Sequence, residues 1–138
     1  MPSIELMSWD QARADASPIR FTVFVEEQGV PFEIEIDEHD PLCVHALAYE
    51  GGRPIGTGRL LPDGHIGRMA VLKEWRKRGI GGLLLNALIE RARQRGDAQV
   101  VLSAQINAAS FYETHGFSRH GDEYMEAGIR HQEMRRKL

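Results

Sequence analysis

Between His65 and Ala104 the chain runs from a β-rich stretch, His65–Val71, through a cationic glycine turn into one long helical pattern over residues 80–95. It then returns to a second β-rich stretch, Gln99–Ala104. Ile80, Leu84 and Leu88 fall on one stripe with Leu85, Ile89 and Ala92 beside it, which is helical spacing, and Gly96 supplies the stop. Two strands joined through a helix re-enter the sheet in the same direction, so this unit demands a parallel pair. Around it lie runs joined by hairpin signals. Cys43–Tyr49, Pro54–Leu61 and His65–Val71 are separated by Gly51-Gly52 and by Pro62-Asp63-Gly64, and they read as antiparallel. The expected fold class is α/β (α+β), a mixed and mostly antiparallel sheet flanked by helices.

The remaining elements fit around that frame. Ile4–Met7 reads as a short strand, and Ser8-x-x-Gln11 is a capping box opening a first helix. Ser17-Pro18 followed by Ile19–Val25 and Gly29 predicts a second helix, with serine as cap and proline at its first position. Residues 30–41 read as an acidic loop between Pro31 and Pro41. A short helix over 108–115 stops at Gly116, and strands near 117–125 and 129–136 finish the chain. Without a repeat or a linker-like stretch, 138 residues make one domain, 1–138.

Composition excludes several classes. No apolar run approaches the ~20 residues that span a bilayer, and Met1-Pro2-Ser3-Ile4-Glu5 lacks the regions of a signal peptide. The lone Cys43 rules out an internal disulfide and suits a reducing cytoplasm; it reads as a small core residue. The net charge of −3 hides an asymmetry: residues 1–58 carry three basic and eleven acidic side chains, and residues 59–138 carry fourteen and nine. A basic half holding an anion and an acidic half facing a cationic partner account for this better than nucleic-acid binding, given the acidic total. The six histidines show no ligand spacing, so no metal is expected.

Arg76-Lys77-Arg78-Gly79-Ile80-Gly81-Gly82 opens the long helix with three cations and three glycines. Unpaired N–H groups and the positive dipole end attract a phosphate there, and glycine lets it approach the backbone. A dinucleotide fingerprint would need glycine at Leu84, and a P-loop would need Gly-Lys-Ser/Thr; neither fits. Arg76-x-x-Gly79-x-Gly81 does match the turn by which the GNAT superfamily of acyl-CoA-dependent N-acyltransferases wraps the coenzyme A pyrophosphate, and the chain resembles that family. Asn107-Ala108-Ala109-Ser110-Phe111-Tyr112-Glu113-Thr114-His115-Gly116-Phe117 is similar to its downstream motif. Val23–Pro31, Glu35–Asp40 and Gly128-Ile129-Arg130-His131-x-x-Met134 resemble the small single-domain ElaA-like branch.

The resemblance implies that the parallel strands splay and that the pantetheine arm of acetyl-CoA lies in the gap. The acetyl group would pass directly to a primary amine, with acetyl-CoA as cosubstrate. Backbone atoms of Arg76, Lys77, Arg78, Gly79, Ile80, Gly81 and Gly82 would hold the diphosphate. A β-bulge within Met69-Ala70-Val71 would offer an N–H to the thioester carbonyl. Tyr112 holds the family position of the proton donor to the leaving thiolate. Asn107 would touch the pantetheine arm, or cap the 108–115 helix, or both.

The base is less defined. The stretch His65-Ile66-Gly67-Arg68, where many family members carry a glutamate, has no carboxylate. Glu27, His131, Asp37 and His39 are candidates, Glu27 and His131 foremost, and a water chain is the alternative. Seven acids and no lysine or arginine occupy residues 26–40, which reads either as a cation-attracting lip over the acceptor site or as a solvated loop. The expected partner is a small-molecule amine, with no nucleic acid and no membrane; dimerisation is common in the family. A protein lysine or N-terminus, or a non-catalytic acyl-CoA-binding module, are the alternatives.

Overall fold

The computed structural model describes residues 2–138. Seven strands follow one another along the chain: β1 (Ser3–Met7), β2 (Val44–Glu50), β3 (Arg53–Leu60), β4 (His65–Val71), β5 (Gln99–Gln105), β6 (Ser118–Glu126) and β7 (Ile129–Lys137). They form one sheet in the order β1-β2-β3-β4-β5-β7-β6. Among the described residues, neighbours are antiparallel except β4 and β5, the pair the crossover demands. The helices are α1 (Trp9–Arg20), α2 (Phe32–Glu35), α3 (Ile80–Arg95) and α4 (Ala109–Thr114).

Helix α3 occupies the predicted residues. It starts after Gly79 (φ 79°) and stops at Gly96 (φ 90°), both in the left-handed region that glycine tolerates. Its stripe of Ile80, Leu84, Leu85, Leu88, Ile89 and Ala92 is buried against Ala46, Ala48, Leu102, Ala104 and Met134. Each fully buried leucine contributes about 1.5–3 kcal/mol. Close approach is possible because β3 carries glycine at alternate positions: a Cβ at Gly56 would lie 3.0 Å from Leu84 Cδ1, and one at Gly58 would lie 3.1 Å from Leu88 Cδ1. On the opposite face α1 packs Ala12, Ala16 and Ile19 with Leu47 and Ala70. With both faces covered, β2 is buried at consecutive positions from His45 to Ala48.

The N-terminal helices differ from expectation. Instead of breaking at Ser17-Pro18, α1 runs through Pro18 to Arg20 and passes directly into a π-helical segment, Phe21–Glu27. Pro18 removes one backbone donor, yet the buried stripe of Ala12, Ala16, Ile19 and Val23 continues across it and holds the helix together. Ser8 does sit at the N-cap, but its side chain makes no capping bond. The segment over residues 30–41 is also more ordered than a loop, containing α2 and a 3-10 turn, Asp40–Leu42.

Candidate active site

Strands β4 and β5 are in register only at His65↔Val101 and Ile66↔Leu102; beyond these pairs they part. The cause lies on the other side of β4. Thr57 pairs with Ala70 and Arg59 with Gly67, so Arg68 and Met69 together face Gly58. This is a β-bulge, and Arg68 takes a left-handed φ of 50° within it. A bulge bends its strand, and here it turns β4 away from β5. It lies at Arg68-Met69, just ahead of Ala70-Val71. Only glycine suits the facing position easily, since a Cβ on Gly58 would fall 2.4 Å from Met69 Sδ.

The gap opens into a groove of about 500 Å³. Gly67, Arg68, Met69, Ala70 and Val71 line one side, and Leu102, Ser103 and Gln105 line the other. Among the described residues, the β5-facing edge of β4 has no strand partner past Ile66, and this stretch borders the groove. The π-helical segment closes one end: Gln28 Oε1 accepts a hydrogen bond from Gln105 Nε2 at 2.7 Å, tying that segment to β5.

The cationic turn leads straight from β4 into α3. Lys77 (φ 63°) and Gly79 (φ 79°) wind it tightly, and no side chain caps the helix. Its first N–H groups therefore stay available to an anion. Arg78 lies over the Trp75 ring at 4.8 Å, while Lys77 is exposed. Arg76 turns the other way: its Nε donates to Val71 O at 2.8 Å, and Nη1 and Nη2 donate to Glu27 at 3.0 and 2.8 Å. A Cβ on Gly81 would make ordinary contact with Phe111 at 3.5 Å, but one on Gly82 would crowd His115 Nε2 at 3.0 Å. The residues of the turn thus fit a diphosphate approaching the backbone.

Tyr112 borders the groove from α4, its ring set edge-on to Phe111 and Phe117. Burial pushes its phenol up to about 12, so the hydroxyl keeps its proton at neutral pH. Asn107 lies exposed in the 3-10 turn Ile106–Ala108 and does not cap α4; that position falls to Ala108, because the extra turn shifts the helix start.

The base candidates separate. Glu27 is held by Arg76. Asp37 is clamped by Arg59 and Arg68, and although its burial raises the carboxyl, these two cations hold it well below the usual range. His39 is exposed and outside the groove, so neither it nor Asp37 faces the splay as a free base. His131 lines the groove and is 7% exposed, with Nδ1 bonded to Ile129 O at 2.7 Å.

The acidic segment is not an open lip. Glu35, Asp37 and Asp40 turn inward onto Arg20, Arg59 and Arg68. Arg20 holds Glu35 through Nε and Asp40 at 2.8 and 3.0 Å. Arg59 holds Asp37 at 2.7 Å and Asp40 at 2.9 Å, and Arg68 holds Asp37 at 3.2 Å. Three cations drawn from three distant elements neutralise three acids and strap the segment over the groove. Their separation in sequence hid this pairing. Cys43 lies beneath it, its thiol bonded to His39 O and pushed by burial up to about 11, as suits a core residue.

Sequence reasoning missed Ser103, Glu126 and Arg68 as groove residues. Alternation along Gln99–Ala104 could have found Ser103, since it points away from the face of Leu102 and Ala104.

A family model, Acetyltransferase (GNAT) domain, matches residues 12–138. A Bacillus subtilis (strain 168) protein named as the uncharacterized N-acetyltransferase YjcF is 40% identical over 124 residues, covering 87% of this chain and 89% of its own. A crystal structure of a Lactobacillus plantarum protein described as an N-acetyltransferase superposes with a TM-score of 0.91 at 33% identity, covering 99% of this chain and 98% of its own. Escherichia coli ElaA superposes with a TM-score of 0.88 at 26% identity, covering 99% and 100%.

Proposed function

The chain belongs to the GNAT acetyltransferase family and is an acyltransferase, and from that premise we propose that it moves the acetyl group of acetyl-CoA directly onto a primary amine of a small molecule. The observation that carries this reading is the splay of β4 from β5 beside an uncapped α3: one groove runs from Arg76, at the head of the turn into α3, to the half-buried Tyr112.

Acetyl-CoA supplies the activated acyl group. The first N–H groups of α3, with the side chains of Lys77 and Arg78 nearby, attract the diphosphate. The β5-facing edge of β4 around Met69-Ala70-Val71, which the splay leaves without a strand partner, suits the negative charge that develops on the thioester oxygen. Tyr112 retains its proton and can donate a hydrogen bond to the departing sulfur. Because Glu27 is bound to Arg76, His131 is the better-placed base for the amine.

The test is thiol release from acetyl-CoA with primary amines: polyamines, aminosugars, arylalkylamines, amino acids and lysine peptides. Selective turnover of a small amine supports the reading. Turnover confined to peptides would replace it with a protein acceptor, and acetyl-CoA binding without turnover would leave a non-catalytic module.

A further inference from the structure

Four polar side chains on β5, β6 and β7 meet on the groove-facing side of the sheet. His131 pairs in register with Gln105 on one flank and Tyr124 on the other, and the Tyr124 and His131 rings stack at 22°. Period-2 alternation places Ser103 and Glu126 on the same side. The hairpin turn Ala127-Gly128, with φ of 52° and 76°, fixes Glu126 opposite Ile129. Ser103, Glu126 and His131 all line the groove.

The donors in this cluster are used up. Ser103 Oγ donates to Glu126 Oε2 at 3.2 Å, so the Tyr124 hydroxyl, bonded to Ser103 Oγ, is the donor in that contact. A carbonyl can only accept, so His131 Nδ1 carries the hydrogen in its bond to Ile129 O. In the neutral ring Nε2 is then left with its lone pair, 3.5 Å from Glu126 Oε2. Two acceptors converge with no hydrogen between them. An ammonium group, with several N–H bonds, can satisfy both at once. The arginines lining the groove are already paired: Arg59 and Arg68 with Asp37, and Arg76 with Glu27. Val23, Phe24, Val30 and Ile34 also line the groove.

We propose that Glu126 and His131 Nε2 receive the acceptor's ammonium group, and that the acceptor is a primary amine on an apolar, carboxylate-free skeleton such as an arylalkylamine. A carboxylate beside the amine would face Glu126 without a free cation to offset it, which disfavours α-amino acids. The proposal rests on the acetyl-transfer reading and specifies its acceptor. His131 Nε2 takes one ammonium proton and passes it to solvent. The nitrogen lone pair forms the N–C bond to the thioester carbonyl carbon, and the C–S bond breaks with its electron pair on sulfur. A second nitrogen proton replaces the one Tyr112 gives to sulfur, and the third remains in the amide.

The test is calorimetric binding of 2-phenylethylamine, phenylalanine and phenylalanine methyl ester to the protein with coenzyme A, alongside acetyl transfer to each. The expected result is binding of the amine and the ester but not of phenylalanine, with a loss of about 10-fold or more in Glu126→Gln. Unchanged coenzyme A affinity in that variant would show its fold intact. Phenylalanine bound as well as 2-phenylethylamine, no binding of 2-phenylethylamine, or an unaffected Glu126→Gln would each overturn the proposal. Binding lost in Glu126→Gln but with no acetyl transfer would uphold the amine site and sink the transferase reading instead.

Discussion

The Glu27 carboxylate accepts both terminal nitrogens of the Arg76 guanidinium, at 3.0 and 2.8 Å, while Arg76 Nε is bound to Val71 O. One residue therefore ties the end of the π-helical segment, the end of β4 and the beginning of the phosphate turn. Both oxygens of that carboxylate are thus engaged by the guanidinium. Glu27→Gln is expected to leave the pH dependence of kcat/KM in place, with stability changed by no more than about 1 kcal/mol because the pair is partly exposed. A pH profile that loses its lower limb in this variant would restore Glu27 as the base.

Tyr112 tests the leaving-group role. Tyr112→Phe keeps the ring contacts with Phe111 and Phe117 and removes only the hydroxyl. The expectation is a fall in kcat of about 100-fold with acetyl-CoA affinity unchanged by calorimetry. An equal loss in both would make the residue a binding group.

Gly81 separates shape from charge at the helix start. Its absent Cβ has ordinary room beside Phe111, so Gly81→Ala should fold normally, with up to about 1 kcal/mol of added helix stability. Gly81→Asp places a negative charge where the diphosphate is proposed to sit, and acetyl-CoA affinity should drop by about 10-fold or more. Equal affinities for the Asp variant and the native chain would move the diphosphate elsewhere.

Acid stability should be lost in two windows. His45 is buried with Nε2 bonded to Asp40 O, and burial holds its folded pKa below the unfolded value of about 6.5. The unfolded chain then binds more protons as pH falls below about 6.5, so stability declines there. Asp40 differs: burial would raise it, but bonds from Arg20 and then Arg59 prevail and hold it low. Its contribution is present above the unfolded pKa of about 3.9 and is lost as pH falls through the lower folded value. Melting temperature against pH should show both declines. Asp40→Asn, which leaves two buried guanidiniums short of a partner, should cost about 3 kcal/mol or more. A melting temperature flat from pH 7 to 5 would contradict the assignment to His45.

Elements whose signal is local were legible. The stripe of α3 and its flanking glycines gave that helix to the residue, and the hairpin turns gave the antiparallel strands to within one or two positions. The reading broke down where a long-range contact overrode a local cue. Ser17-Pro18 looks like a helix start, but burial of Ala16 and Ile19 against the sheet carries α1 through it. The acids of residues 35–40 look solvated until Arg20, Arg59 and Arg68 are brought to them.

By itself the sequence determined the helix and strand pattern, the parallel crossover and the glycine turn, because periodicity, capping and backbone freedom act within a few residues. Only the tertiary structure decided where β4 parts from β5, which acids face the groove, and that Glu126 and His131 converge there. Those outcomes depend on register between strands and on side chains far apart in the chain, 49 positions for Glu27 and Arg76 and 77 for Gln28 and Gln105, which no local pattern encodes.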